Sequence, residues 1–537
     1  MQKKRTKLIW LIIVLAFILA ALVAAGFVAN RYVFFEGQAF LRSSETLDLR
    51  EQELTVEQYQ QLQALLPQTH IQWMIPIGQQ RYDCATKEIV IAQLKEEDIP
   101  LYKLFDDLQR VDALQMQDHD AVLRLQEVFP DCTVDWAVYI GNKAVSPEAE
   151  SLDLNNTGIT ALELMEKLAW LPQLSQLTVT DVTFSAEDQL ALLEAYPNID
   201  FIWNVEAAGK TWLNTVTELS YADTPADSEL LLQCAALLPN VEVIDLTGSG
   251  CTIEELLSIQ AAFGAQITAD LELFGIQFDT QTTELDFSDI PMEDVSAVEQ
   301  ILPLMPQLQR VVMCNCGIPS EEMDALWKRN PQVRFVWSVK IGRATLRTDC
   351  TSFTGPLHGY LANAKIADPF EDKHNRLFDE DCVEFKYCVD MVCLDLGHMG
   401  ISDYSFIQYM PKLKYLILAD TIGTDFSALE GLTELVFLEL FLTDFSDTEV
   451  LLSLTSLEDL NIAYTDVSDT EFLKQMPWLK RLWTCYSKLD YKEVIELQSY
   501  LPDTQIDWTA SHSTGNNWRK SKNYYDMRDF LGMYYLD

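Results

Sequence analysis

The side chains best suited to chemistry recur at 22-residue intervals between Cys393 and Cys485, in three columns. The first runs Cys393, Tyr415, Phe437, Asp459, Arg481; the second Asp395, Ile417, Glu439, Asn461, Trp483; the third Gly397, Ala419, Phe441, Ala463, Cys485. Aromatic rings beside charges suit non-covalent recognition, because such side chains give up water over a large area and still orient a partner. Tyr415, Ile417, Phe437 and Phe441 are expected to form one apolar patch, with Glu439, Asp459, Arg481 and Trp483 beside it. These eight are the candidate binding residues. The alternative is that the aromatic C-terminal segment, or the stretch 346–385, covers the patch.

Covalent chemistry finds less support. The chain contains no H-E-x-x-H, G-x-x-x-x-G-K-[ST] or G-x-S-x-G motif, and Thr247–Cys251 (TGSGC) is a glycine-bearing turn without the rest of a phosphate loop. The six histidines are scattered. His358, His374, Asp379, Asp381 and Cys382 are metal-ligating types near one another in sequence, but their spacing matches no recognised site. Neither a metal nor another cofactor is expected. Asp403, Asp425, Asp447 and Asp469 form a further 22-residue column. They sit in first turns beside Ser446-x-x-Glu449 and Ser468-x-x-Glu471, so capping is the simpler role.

The columns need a scaffold that repeats with them. Leu416, Leu438, Leu460 and Leu482 are 22 residues apart within LKYLIL, LVFLEL, LEDLNI and LKRLWT, and Leu394–Leu396 adds a copy upstream. L-x-x-L-x-L at a fixed period of this length marks an α/β leucine-rich repeat solenoid. The leucines point inward and the residues between them line the concave sheet, since side chains alternate along a strand. Thr421, Thr443, Thr465 and Ser487 stand where such repeats place Asn, and Leu429, Leu451 and Leu473 are expected to fill the interior.

An earlier array, 45–345, carries a longer module. Trp73, Trp136, Trp203 and Trp337 are separated by 63, 67 and 134 residues, which puts a missing slot at Asp270. Gly78, Gly141 and Gly342 follow these strands and suggest turns. The tryptophans offer a ladder for sugar rings; repetition at one place per module and alternation with Val and Ile favour packed architecture. Ser185–Pro197 reads as a helix behind a Ser-x-x-Asp start. The remaining divisions are a stalk at 30–44, an insertion or linker at 346–385, 22-residue repeats at 386–510 and an aromatic cap over the solenoid end at 511–537.

Residues 8–29 are uncharged and strongly apolar, and as a helix span roughly 33 Å, enough for a bilayer core. Lys3, Lys4, Arg5 and Lys7 precede them, so a transmembrane signal-anchor would keep residues 1–7 cytoplasmic and send the rest outward. A cleaved signal peptide is the alternative. With 82 acidic against 38 basic side chains the net charge is −44, which disfavours nucleic acid and anionic lipid surfaces as partners. Eleven cysteines, several in apolar settings such as LLLQCAALL, read as mostly free buried thiols. Cys350, Cys382 and Cys388 are the best placed for a bridge.

L-x-x-L-x-L-x-x-T at this period resembles the internalin-like class of bacterial leucine-rich repeat proteins, closely over 386–510 and loosely over 45–345. The resemblance implies a curved solenoid displayed for adhesion or recognition. The chain departs from it in having Thr for the Asn ladder and no LPxTG-type sorting signal. Taken together, a membrane-anchored, outward-facing protein that binds a protein or glycan without catalysis is expected. A structural spacer or assembly component of the cell envelope is the alternative.

Overall fold

The computed structural model of the protein describes residues 2–355 and 376–533, the side chains of 2–7, 24–25 and 27–29 apart. His358 and His374 lie outside the described residues. The chain falls into two compact units, one formed mainly by residues 1–219 and the other mainly by 265–537.

The first unit begins with a helix, Gln2–Arg31. Its described apolar side chains are exposed, Trp10 to 68 % and Phe17 to 76 %. Among the described residues no helix is long and apolar enough to cross a membrane. Residues 30–44, expected as a stalk, instead hold a hairpin, Tyr32–Phe35 with Gln38–Leu41. Val33 and Phe40 of this hairpin are buried against Leu49, Leu62 and Trp73, because an apolar alternation so close to the repeats can join their core.

Beyond it, short parallel strands alternate with antiparallel hairpins. Thr46–Asp48 pairs with His70–Gln72, and Arg110–Asp112 lies between Glu88–Val90 and Thr133–Asp135, pairing with both. Ser151–Asp153 and Gln176–Val179 lead to the long strand Asp200–Ala207, whose far half turns back against Lys210–Leu213. The helix Ala186–Ala195 starts where its sequence signal placed it, with the Ser185 hydroxyl accepting the Asp188 N–H at 3.1 Å.

The hairpins explain the recurring tryptophans. Trp73 and Trp203 are buried, and their carbonyls accept the N–H groups of Cys84 and Asn214 at 3.0 and 2.9 Å, closing the hairpin. In the second unit the Trp337 carbonyl accepts from Thr348 at 2.9 Å in the same way. The missing slot belongs to Ala269, not Asp270: its carbonyl accepts the Thr280 N–H at 3.0 Å. Trp136 is only partly buried, and the neighbouring Ala137 is the buried residue. These rings are core, so they form no exposed ladder. Gly78, Gly141 and Gly342 hold left-handed φ of 57°, 54° and 54° at hairpin turns, where a Cβ would be strained.

The second unit ends in a seven-stranded parallel sheet. It starts at Ser352–Thr354, one strand before the expected boundary, so the 346–385 stretch interrupts a repeat rather than linking two arrays. Leu394, Leu416, Leu438, Leu460 and Leu482 are in register across it and fully buried, and Ile506 of the last strand continues the row. Thr421, Thr443 and Thr465 each donate their hydroxyl to the carbonyl three residues earlier, at 2.5, 2.6 and 2.7 Å. One hydroxyl satisfies one buried carbonyl per turn, which is the function an Asn would otherwise serve. The residues just before these threonines and Ser487, namely Asp420, Leu442, Tyr464 and Tyr486, all take positive φ. Asp403, Asp425, Asp447 and Asp469 accept the N–H two residues on, at 2.8–3.1 Å. These aspartates themselves hold the turns, in place of the Ser-x-x-Glu boxes expected there. All eleven cysteines are free thiols, eight of them buried. Of the three bridge candidates, Cys382 and Cys388 are buried and Cys350 is partly exposed.

The concave face and its occupant

Strand alternation puts the inner columns on the concave side of the C-terminal sheet, and the apolar patch forms there as expected. Its exposure does not. Tyr415, Ile417, Phe437, Glu439, Phe441, Asp459 and Trp483 are all buried, Phe437, Glu439 and Trp483 to 0 % exposure, and Arg481 is mostly covered. The occupant is the chain's own tail. Ala510, Trp518, Tyr524 and Met527 pack into one apolar cluster with Cys393, Tyr415, Phe437 and Trp483. The tail therefore lies across the strands of the face, correcting the expectation that it caps the solenoid end. The physical reason is in the columns: rings as large as Phe437 and Trp483 on an open sheet leave apolar area that an aromatic tail can remove from water.

The contacts are specific. Trp518 is fully buried, stacks on Phe437 with centroids 5.4 Å apart and lies 5.1 Å from Trp483. Its indole N–H donates to Glu439 Oε1 at 2.5 Å, and Arg519 Nη2 stands 3.4 Å from Glu439 Oε2. Arg481 donates to the carbonyls of Trp518 and Asn517, both at 2.9 Å, while its guanidinium lies over the Trp483 ring at 4.6 Å and the Trp518 ring at 4.9 Å. Trp483 Nε1 donates to the Gly515 carbonyl at 3.0 Å, and Asn461 Nδ2 to the Ser513 carbonyl at 2.9 Å. Together these contacts read four backbone carbonyls and one indole of the tail, and the thiols of Cys485 and Cys393 reach two more carbonyls, those of His512 and Met527. The tail helix Lys522–Phe530 follows, capped by the Ser521 hydroxyl accepting from Tyr524 N.

The electrostatics follow from burial. Asp459 is pushed above the usual carboxylate range because it is buried, and Arg481 at 3.6 Å from its Oδ2 only partly offsets that. Burial lowers Arg481, and the adjacent Glu439 charge raises Arg519. Burial likewise pushes the Cys485 thiol up to about 11 and the Tyr415 phenol up to about 12. A buried thiol held in its neutral form is a poor nucleophile.

Sequence reasoning missed Trp518, Arg519 and the carbonyl-bearing loop as the partners of the patch. The available signal was the burial-prone charge in the columns: Glu439, Asp459, Asn461 and Arg481 between rings require partners supplied from elsewhere in the chain. Of the metal-ligating types near the insertion, Asp379 accepts from the Ser402 N–H at 2.7 Å, Asp381 accepts from the Phe378 N–H at 2.9 Å, and Cys382 is buried. An open cleft of about 520 Å³ lies elsewhere in this unit, lined by Trp327, Tyr387, Tyr409, Lys328, Lys386 and Asp324.

No protein-family model and no curated protein matches the chain. Among solved structures, it is similar to internalin C2 of Listeria monocytogenes, at 19 % identity over 30 % of this chain and 86 % of that one, with a TM-score of 0.21. It is also similar to an internalin (inlF) of the same organism, at 12 % identity over 73 % and 90 %, with a TM-score of 0.20. A leucine-rich repeat protein of Leptospira interrogans matches at 13 % identity over 78 % and 93 %, with a TM-score of 0.23.

Proposed function

We propose that this chain is a membrane-anchored, outward-facing recognition protein that binds a protein partner without catalysis, through the concave face of its C-terminal sheet. The observation that supports this reading is the tail itself. Asn461, Arg481 and Trp483 donate to backbone carbonyls of the tail, and Glu439 accepts its tryptophan. A face that grips main-chain carbonyls and one aromatic anchor is equipped for a peptide segment, and the cis tail is a competitor for it. Residues 8–29 serve as the anchor, with the basic residues 3–7 on the cytoplasmic side. That assignment rests on apolar length and charge, and resistance of the full chain to alkaline carbonate extraction tests it.

The binding reading is tested by cutting the tail after folding. Ser511 and His512 are exposed, so a protease site inserted there can be cleaved without opening the core. The cleaved tail should dissociate on dilution, and a fluorescent peptide of residues 512–533 should rebind and be displaced by a partner peptide carrying a tryptophan anchor. A cleaved tail that never exchanges with added peptide would make the contact permanent core and end this reading.

A glycan partner is favoured by a separate observation, the cleft lined by Trp327, Tyr387 and Tyr409 with Lys328 and Lys386. Lys386 Nζ lies 4.8 Å from the Tyr387 ring centre, beside an aromatic platform of the kind sugar rings stack on. Binding of an acidic oligosaccharide that Trp327→Ala abolishes would support it; equal binding by the variant would dismiss it.

A further inference from the structure

The first unit holds a cluster that recognition does not use. One nitrogen of His70, the sulfur of Cys84 and a carboxylate oxygen of Asp106 all lie within 4.8 Å of one another. We propose that these three residues bind one zinc-class divalent cation, leaving its fourth position open to solvent or to a donor atom of a ligand.

The backbone fixes all three. His70 opens a strand and its N–H donates to the Glu45 carbonyl at 2.9 Å. Cys84 follows a hairpin strand, and its N–H donates to the Trp73 carbonyl at 3.0 Å. Asp106 is tied directly to Cys84, its N–H donating to the Cys84 carbonyl at 2.9 Å. Cys84 is fully buried, whereas His70 and Asp106 are exposed, so an ion has a path in and a fixed sulfur to meet. Tyr59 stacks on Trp73, the residue whose carbonyl holds Cys84, with centroids 4.1 Å apart.

The donor set selects the ion. One imidazole nitrogen, one thiolate and one carboxylate suit a borderline ion such as Zn²⁺, whereas Ca²⁺ and Mg²⁺ take oxygen donors almost throughout. Tetrahedral Zn²⁺ with bonds of 2.0–2.3 Å sets its ligand atoms about 3.3–3.6 Å apart. His70 Nε2 and Asp106 Oδ2 already stand 3.2 Å apart. Small rotations of two exposed side chains complete the set.

The last hairpin of the second unit shows what this place looks like when it is only structural. There the residue three before the tryptophan is Arg334, paired with Asp390 at 2.9 Å. The residue eleven after it is Thr348, whose hydroxyl accepts the Trp337 N–H at 3.1 Å. An ion pair and a hydroxyl suffice for the architecture. In the first module histidine stands at the arginine's place and cysteine at the threonine's, with Asp106 beside them, so every member of the trio can ligate.

The test uses the full chain in detergent micelles, stripped with chelator and titrated with Co²⁺ as the spectroscopic probe and Zn²⁺ as competitor. One Co²⁺ per chain should bind with a thiolate-to-cobalt absorption band, and Zn²⁺ should displace it. Cys84→Ser should abolish the band, and His70→Ala and Asp106→Asn should each weaken binding at least tenfold. Cys251→Ser, at a partly exposed thiol of the second unit, should change nothing. No thiolate band, or a band that persists in Cys84→Ser, overturns the proposal. Should Cys84→Ser misfold by circular dichroism, the two exposed-position variants decide: undiminished affinity in both overturns it. Peptide exchange at the concave face is measured separately, so neither result stands in for the other.

Discussion

Replacing Trp518 with alanine is expected to release the tail from the concave face while the strands beneath stay paired. Trp518 is fully buried, so truncation costs about 3–5 kcal/mol in lost burial and residual cavity. Glu439, itself at 0 % exposure, would lose its closest donor and keep only Arg519 at 3.4 Å, at a further cost of about 1–3 kcal/mol. Together these reach at least about 4 kcal/mol, close to a thousandfold in the opening equilibrium at 1.4 kcal/mol per tenfold. A peripheral segment opens locally before the core it covers. Amide hydrogen exchange of residues 511–531 should therefore accelerate by roughly a thousandfold or reach its unprotected limit, while the amides of Leu438 and Leu460 keep most of their protection. Trp518→Phe, which keeps one ring to stack on Phe437 and loses the indole N–H and part of the buried area, should lie between the two. Tail amides as slow in Trp518→Ala as in the parent chain would refute the assignment of Trp518 as the anchor.

Three further outcomes follow from the repeats and the face. Thr443→Val removes the hydroxyl that satisfies the Leu440 carbonyl at 2.6 Å and should destabilise the second unit by about 1–3 kcal/mol in a denaturant titration. Leu442 is 45 % exposed with φ of 59°, so Leu442→Asn should raise stability by about 0.5–1 kcal/mol by the same measurement, because Asn tolerates this conformation and little packing is lost. Asp459 has a raised folded-state pKa, so its ionised form opposes folding. Its penalty is fully present above that raised value and is relieved as pH falls towards the unfolded carboxylate value. Asp459→Asn should accordingly protect the tail better at neutral pH and flatten the pH dependence of tail exchange across that window; an unchanged profile would remove Asp459 from this role.

The chain by itself determined the coil. Leu416, Leu438, Leu460 and Leu482 recur at 22 residues because each turn meets the same neighbours, so identical side chains solve an identical packing problem. The same logic made the Thr column, the interior Leu429, Leu451 and Leu473 and the inner columns of the sheet readable from spacing alone. Period does not say what lies on a face. Trp518 meets Glu439 across 79 residues of sequence, and no local pattern encodes a contact of that separation. For the same reason the columns of the sheet were legible while Trp518 and Arg519, the individual residues that cover them, were not. The slot at Ala269 shifted by one residue because hairpin geometry is set by backbone pairing rather than by the mean module length. His70, Cys84 and Asp106 meet only because a strand start, a hairpin end and a loop are hydrogen-bonded to one another, and that closeness exists only in the tertiary structure.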